Sequence, residues 1–455
     1  MTHSRAQRLT SRVIVPGIVV LAGLSLTLWA LTVGTVAGGQ PSIEATRYAT
    51  PAMTPTPAPP TLVWPVAAPG PVPAEADLTA ALAAISTEGA GTVAWAVVNP
   101  WDDQRLTSQD GDGLMVPAST LKLITSAAAL QIYGAEHRFA TRVVSSADGI
   151  ILVGGGDPDL TEQPASGYPA RASLVDLADR TAAALAAAGT TSVALGYDDT
   201  LFAGPTWNEA WEDGDDAWTS PTSALWMDKG LTNGGRSTTP AADAAAEFAD
   251  LLRQRGLTVN SVNATPAAAD AAVVAEVNSP PLRTIIEECL LASDNDVAEV
   301  LFRHVGRAQG GDGSIVAAQQ SIQTVATELG LWTEGMVIRD GSGLSYDNQV
   351  TPAVIARAIG LGFRDPAYRA LVTGLPVAGG VGTLGLSWRY DEPSEVAARG
   401  VVRAKTGTLT SVHTLGGFVQ TRSGAFLAFS VTSHDGTDAG ARDWLDRATA
   451  ALASL

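Results

Sequence analysis

The end of the chain constrains the fold most. Leu415–Val431 reads as an apolar hairpin turning at Ser423-Gly424, with a strand, Val401–Ala404, before it and a helix, Ala439–Leu452, after it. A lone hairpin is marginal in water and needs more strands or a helix against its apolar face. Candidates lie near the start of the globular pattern: a helix over Ala76–Ile85, a buried strand over Gly91–Val98 and a hairpin partner at Arg105–Gln109. Strands and helices at both ends, joined by the C-terminal hairpin, predict an α+β architecture with a predominantly antiparallel sheet. Between them, Pro117–Tyr133 reads as an alanine-rich helix that Gly134 stops. The middle region mixes strands such as Gly149–Val153 and Ser192–Leu195 with polar-faced helices such as Ala172–Ala187 and Pro240–Arg255.

Composition narrows the function classes. With 46% hydrophobic residues in 455, the chain can build a large core, and its length suggests two or three domains. A formal charge of −18 argues against a nucleic-acid partner, whose affinity comes largely from Lys and Arg. The single cysteine, Cys289, excludes an intrachain disulfide and a thiolate-rich metal site, and reads as a core residue on an apolar helix face. Arg5, Arg8 and Arg12 precede a run without charge from Val13 to Val33, long enough to cross a bilayer. Basic residues before such a run place the rest of the chain outside the cytoplasm. An uncleaved anchor fits the long run, and a signal peptide cleaved near Thr35-Val36-Ala37 is the alternative. Ten of the 26 prolines then fall between Pro41 and Pro73, as in a semi-rigid tether.

Lysine is scarce. Only Lys122, Lys229 and Lys405 occur among 28 cations, and all the others are arginine. Arginine replaces lysine cheaply on a surface but not where an amine must lose its proton. Lys122 stands in Ser119-Thr120-Leu121-Lys122, where residues three apart share a helix face and a desolvated amine can deprotonate a serine hydroxyl. The bland alternative is an N-capping Ser119 with a surface lysine. Ser293-Asp294-Asn295 falls in a break between two helices, where a hydroxyl and a carboxamide can face a shared cleft, although Ser293 with Asp296 also fits a capping box. Lys405-Thr406-Gly407-Thr408 follows the strand Val401–Ala404. There Gly407 admits close approach, the strand edge can hold an extended peptide, and the threonine hydroxyls can bind a carboxylate; a surface turn is the alternative.

The order Ser-x-x-Lys, Ser-x-Asn, Lys-Thr-Gly resembles the penicillin-binding and serine β-lactamase superfamily. Within it the chain is similar to the class C low-molecular-mass penicillin-binding proteins, D-alanyl-D-alanine carboxypeptidase/endopeptidases of peptidase family S13. "GGGDPDL" at Gly154–Leu160, "DGSGLS" at Asp340–Ser345, "LPVAGG" at Leu375–Gly380 and "VRAKTGTL" at Val402–Leu409 carry that resemblance. It covers roughly residues 76–455 and implies a penicillin-binding domain split into 76–134 and 276–455 with an inserted α/β domain at 135–275; before it stand the linker, 38–75, and the membrane segment, 1–37, read above from composition. The long stretch between Ser119 and Ser293 would hold one inserted domain rather than the two of larger relatives.

The same resemblance implies roles. Ser119 would form the acyl-enzyme, Lys122 accept its proton, Ser293 pass a proton to the leaving amine and Asn295 hold the substrate amide. Lys405 would set the electrostatics, Thr406 and Thr408 would bind the terminal carboxylate beside Gly407, and the N–H groups of Ser119 and Thr408 would form the oxyanion hole. Asp157 would recognise a substrate amine, with a turn-forming Asp-Pro as the alternative. Tyr346 replaces an arginine that relatives carry after "DGSGLS", which puts their diaminopimelate contact in doubt. Peptidoglycan stem peptides are the implied substrate, β-lactams covalent inhibitors, the membrane a partner through the N-terminal helix; no cofactor or metal is implied.

Other residues carry weaker signals. The five histidines lack metal spacing, and His413 is a candidate cleft residue or an ordinary strand residue. Trp207, Trp211, Trp218 and Trp226 would pack a loop or stack on sugar rings. Lys229 has no motif and reads as an ion-pair residue. A β-lactamase, a transpeptidase and a non-catalytic wall-binding scaffold remain alternative readings.

Overall fold

The apolar runs at the two ends of the globular region meet in one sheet. The computed structural model describes residues 70–455. In chain order these form α1 (Glu75–Ala83), β1 (Thr92–Val98), β2 (Arg105–Gln109), a 3₁₀ turn (Ala118–Leu121), α2 (Lys122–Tyr133), β3 (Ala140–Ser145), β4 (Gly149–Val153), α3 (Leu174–Ala187) and β5 (Ser192–Asp198). A two-residue pair, β6 (Leu231–Thr232) and β7 (Gly235–Arg236), precedes α4 (Pro240–Gln254), β8 (Thr258–Ala264) and β9 (Val273–Asn278). Then come α5 (Leu282–Ala292), α6 (Asn295–Val305), α7 (Ile315–Glu328), α8 (Pro352–Arg364), α9 (Ala370–Thr373), β10 (Val402–Leu409), β11 (Val412–Gln420), β12 (Phe426–His434) and α10 (Asp438–Ala453).

The first sheet has the order β10-β11-β12-β1-β2 and every pairing in it is antiparallel, giving the expected α+β architecture. One face is covered by α1 and α10, with Trp95, Phe429 and Trp444 in the core between. The other face meets a helical layer in which α2 is central. Every residue of α2 from Lys122 to Leu130 is buried, as a helix apolar on all sides must be. The second sheet, β8-β5-β4-β3-β9, is mixed: β4, β5 and β8 are parallel, while β3 runs antiparallel to β4 and β9. The crossover helices α3 and α4 bury their apolar faces against it, as parallel strands require.

Three local expectations change. Lys405-Thr406-Gly407-Thr408 does not follow a strand but lies inside β10, because the ladder to β11 continues through Leu409. The α-helix expected from Pro117 begins at Lys122, after the 3₁₀ turn that carries Ser119. The expected boundary at 275 falls within β9, whose ladder to β3 runs on to Asn278. The expected membrane segment at 1–37 and most of the linker at 38–75 lie outside the described residues. Among the described residues no helix is long and apolar enough to cross a membrane.

Candidate active site

Ser119 sits where the chain is forced into an unusual turn. Ala118 before it has φ 45°, a region that alanine rarely adopts. Two glycines close over this turn. A Cβ on Gly407 would stand 3.0 Å from the Ser119 nitrogen and 2.1 Å from Thr414 Oγ1, and one on Gly343 would stand 2.0 Å from the Ala118 oxygen. The 3₁₀ repeat of three places Lys122 directly over Ser119. Its Nζ lies 2.9 Å from Ser119 Oγ, 2.8 Å from Asn295 Oδ1 and 2.6 Å from the Ser342 carbonyl. Lys122 is completely buried and hydrogen-bonds to no carboxylate. Burial pushes its pKa down, and Cys289, Asp340, Glu299 and Asp294 only partly pull it back. An amine held this way can take the proton of the hydroxyl it touches.

Ser293 and Asn295 come from the break between α5 and α6. Ser293 takes φ 61° as α5 ends. Asp294, rather than Ser293, caps α6 by accepting from the Val297 N–H, so no Ser293–Asp296 capping box forms. That leaves the Ser293 hydroxyl free to meet Lys405, whose Nζ lies 2.7 Å away. Lys405 is fully buried, and burial followed by the charge of Lys122 holds its pKa well below the usual lysine value. The sequence-named residues thus form two hydrogen-bonded groups, Ser119–Lys122–Asn295 and Ser293–Lys405, which the short turn from Ser293 to Asn295 brings into one cluster.

The edge of β10 is half covered. Ala378 N–H donates to the Val402 oxygen and Ala404 N–H to the Pro376 oxygen, so "LPVAGG" seals the first half. Even-numbered residues of β10 therefore point their backbone groups outward, and beyond Ala404 these belong to Thr406 and Thr408. Thr406 Oγ1 also meets Thr383 Oγ1 at 2.8 Å. Tyr346 lies at the end of this edge, its hydroxyl accepting from the Thr410 N–H at 2.9 Å.

Several sequence candidates fall elsewhere. Asp157 is buried, its Oδ1 accepts from the Asp159 N–H, and burial followed by the neighbouring Asp159 pushes its pKa up to about 8. Through Oδ1 it makes the turn of the Asp-Pro alternative, while Oδ2 is buried without a hydrogen-bond partner among the described residues. His413 pairs with Thr408 across the ladder but is buried 3.6 Å from Asp438 at the start of α10, on the sheet face opposite the cluster. Trp226 is buried and donates to the Asp157 oxygen, and Trp211 donates to Asp340 and meets Trp207 edge-on. Only Trp218, at 64% exposure, presents its ring to solvent beside the cluster, and its carbonyl accepts from Asn295 Nδ2 at 3.1 Å. Among the described residues no three His, Cys, Asp or Glu side chains converge as a metal site would need.

Sequence reasoning missed the carboxylates behind the cluster. Glu299 accepts from the Gly341 and Ser342 N–H groups at 3.0 and 2.7 Å, fixing the loop whose Ser342 carbonyl faces Lys122. Burial and the nearby Asp340 push Glu299 up to about 8. Asp340 in turn accepts from Trp211, Gly343, Ser345 and Asn348. The spacing of Glu299 four residues beyond Asn295, one helical turn on the same face, was the available signal.

A sequence profile of the D-Ala-D-Ala carboxypeptidase 3 (S13) family matches residues 75–234 and 231–454. The carboxypeptidase Rv3627c of Mycobacterium tuberculosis is 35% identical over 405 residues, covering 84% of this chain and 85% of its own. The carboxypeptidase DacB of Mycolicibacterium smegmatis is 33% identical over 431 residues, covering 90% and 91%. Among solved structures, penicillin binding protein 4 of Haemophilus influenzae superposes with a TM-score of 0.68 at 21% identity, over 83% of this chain and 98% of that one. At that identity the superposition speaks for the fold alone.

Proposed function

Since the chain belongs to the D-Ala-D-Ala carboxypeptidase 3 (S13) family and is a serine-type hydrolase, we propose that it cleaves peptidoglycan stem peptides at D-Ala-D-Ala through an acyl-enzyme on Ser119. The observation that carries this reading is the 2.9 Å contact between Ser119 Oγ and a buried Lys122 with no carboxylate partner. Lys122, as the free amine, takes the hydroxyl proton while Ser119 Oγ bonds to the carbonyl carbon. The oxyanion gathers at the N–H groups of Ser119 and Thr408, a contribution of about 10²–10³ in rate per donor. As the tetrahedral intermediate collapses, the C–N bond breaks and the amine leaves with a proton relayed through Ser293. Water then attacks the ester and Ser119 regains its proton. The peptide lies along the open half of the β10 edge, with its terminal carboxylate against Thr406, Thr408 and Lys405. β-Lactams enter by the same acylation and act as covalent inhibitors.

The charge-free run from Val13 to Val33, with Arg5, Arg8 and Arg12 before it, supports a membrane tether with the catalytic region outside the cytoplasm. Intact-mass measurement with benzylpenicillin tests the chemistry. A stoichiometric adduct that vanishes in Ser119→Ala is expected, and a folded protein that takes no adduct would favour the scaffold reading. Incubation with cross-linked and uncross-linked muropeptides assigns endopeptidase or carboxypeptidase activity. β-Lactam turnover exceeding both would make the protein a β-lactamase.

A further inference from the structure

Asp294 and Asn295 of the second motif and Asp296 after it are each held by one segment of the chain between β5 and β8. Asp294 Oδ2 lies 2.5 Å from Lys229 Nζ. Asn295 Nδ2 donates to the Trp218 carbonyl. Asp296 Oδ1 accepts from the Ser220 N–H and its Oδ2 from Arg236 Nη1, both at 2.7 Å. The segment is itself cross-braced, since Ser220 Oγ donates to the Lys229 carbonyl and accepts from Arg236 Nη1. Its backbone is strained where it presents the lysine: Asp228 and Lys229 have φ 49° and 59°, conformations that side-chain-bearing residues rarely keep without external support. On the other side of the bridge Ser293 has φ 61°. Two unfavourable turns thus face each other across one ion pair.

We propose that Lys229, with Arg236, is a positioning residue: residues 218–236 clamp the Ser-Asp-Asn turn so that Ser293 and Asn295 meet Lys405 and Lys122. This rests on the acylation reading above. The clamp also has an electrostatic side. Asp294 is only 18% exposed and stands near the catalytic amines, so its charge must be matched. Burial works to lower Lys229, but Asp294 and Asp159 outweigh it and keep it protonated, with Arg171 nearby. Lys122 is faced by Cys289 of α5, Asp294 and Glu299 of the α6 region, Asp340 of the following loop, and Lys405 of β10. With Lys229 gone, the Asp294 charge would act on Lys122 unopposed and hold its proton more tightly.

The test follows the second-order acylation rate by benzylpenicillin against pH in the full chain, with folding checked by circular dichroism. Acylation needs Lys122 as the free amine, so a higher Lys122 pKa moves the acid limb to higher pH. Lys229→Met is expected to slow acylation at pH 7 about 10–100-fold and to raise the acid limb by about half a pH unit or more. Asp294→Asn still caps α6, because asparagine is as good a cap as aspartate, and it is expected to lower the limb. Opposite movements from cutting one ion pair are the signature. Slowing in both variants with the limb unmoved would reduce the bridge to a structural strut and overturn the proposal. Should Lys229→Met fail to fold, Asp294→Asn decides alone, because the downward movement is required. A wild type that takes no adduct overturns the acylation reading and this inference together, whereas one that acylates with immobile limbs overturns only the clamp.

Discussion

Lys122 and Lys405 on one side, and the half-buried Lys229 on the other, are lysines put to opposite uses. The first two are fully enclosed and hydrogen-bond to hydroxyl, amide and backbone oxygens only. The third retains a 22% exposed side chain and touches two carboxylates, Asp294 at 2.5 Å and Asp159 at 3.4 Å. Burial without a counter-ion drives a lysine toward the free amine, whereas burial with two acids fixes its charge. The same side chain therefore serves as a proton acceptor at Lys122 and as a fixed charge at Lys229, and its neighbours alone decide which.

The strongest way to break that contrast is Lys122→Arg. Guanidinium cannot lose its proton in a protein, so the charge that Lys229 needs is what Lys122 must be able to shed. Acylation by benzylpenicillin, followed by stopped flow on folded protein, is expected to fall about 10²–10⁴-fold. A variant retaining near-wild-type acylation would show that no proton passes to residue 122.

Gly407→Ala probes the enclosure rather than the amine. Its Cβ would meet Thr414 Oγ1 at 2.1 Å and crowd the Ser119 nitrogen, so β10 must move away from the nucleophile. Displacing one oxyanion donor by a fraction of an ångström costs about 10²-fold in acylation, with a smaller change in Tm. A loss of Tm with acylation intact would mean that β10 relaxes away from Ser119 without harm.

How much of this could be read from sequence follows the range of the interactions. The cluster was legible because Ser119 and Lys122 are local, and because the other two motifs carry enough residue types to be recognised wherever they fall. The all-antiparallel sheet was legible from apolar runs at both chain ends. What stayed hidden was pairwise and long-range: that Lys229 reaches Asp294, that Glu299 fixes the loop behind Lys122, and that Asp157 is buried. Nothing in "GGGDPDL" distinguishes a carboxylate facing solvent from one folded onto the next turn. Likewise, the position of Lys405 inside β10 depends on how far β11 extends opposite it.

Stability against pH separates the two kinds of lysine without any substrate. A lysine whose pKa is depressed by folding binds fewer protons in the folded chain than in the unfolded one. It therefore makes stability rise with pH, from its folded pKa up to about 10.4, by at most about 1.4 kcal/mol per pH unit. Lys122 and Lys405 fall in this class. Lys229, with its raised pKa, contributes stability that is complete below about 10.4 and is lost as pH rises through its folded value. Urea titrations across neutral and alkaline pH should show a shallower rise in Lys405→Met than in wild type. An unchanged slope would mean that Lys405 keeps its proton despite its burial, and the contrast with Lys229 would collapse.

The smallest expected effect tests why lysine is so scarce. If the other cations are arginine only because surfaces tolerate either, exposed arginines should convert to lysine almost freely. Arg105 is a fair case: its side chain is 45% exposed and that of its partner Asp112 is 67% exposed. Exposed pairs contribute about 0.2–1 kcal/mol, and lysine keeps the charge while giving up the two-pronged contact that Arg105 makes with both Asp112 oxygens. Arg105→Lys should therefore change stability by no more than about 0.5 kcal/mol and leave acylation untouched. Set beside Lys122→Arg, this makes the exchange of the two cations nearly free in one direction and ruinous in the other. A large loss from Arg105→Lys would mean that arginine is retained for its geometry across the surface, and that the rarity of lysine says nothing about where the chemistry lies.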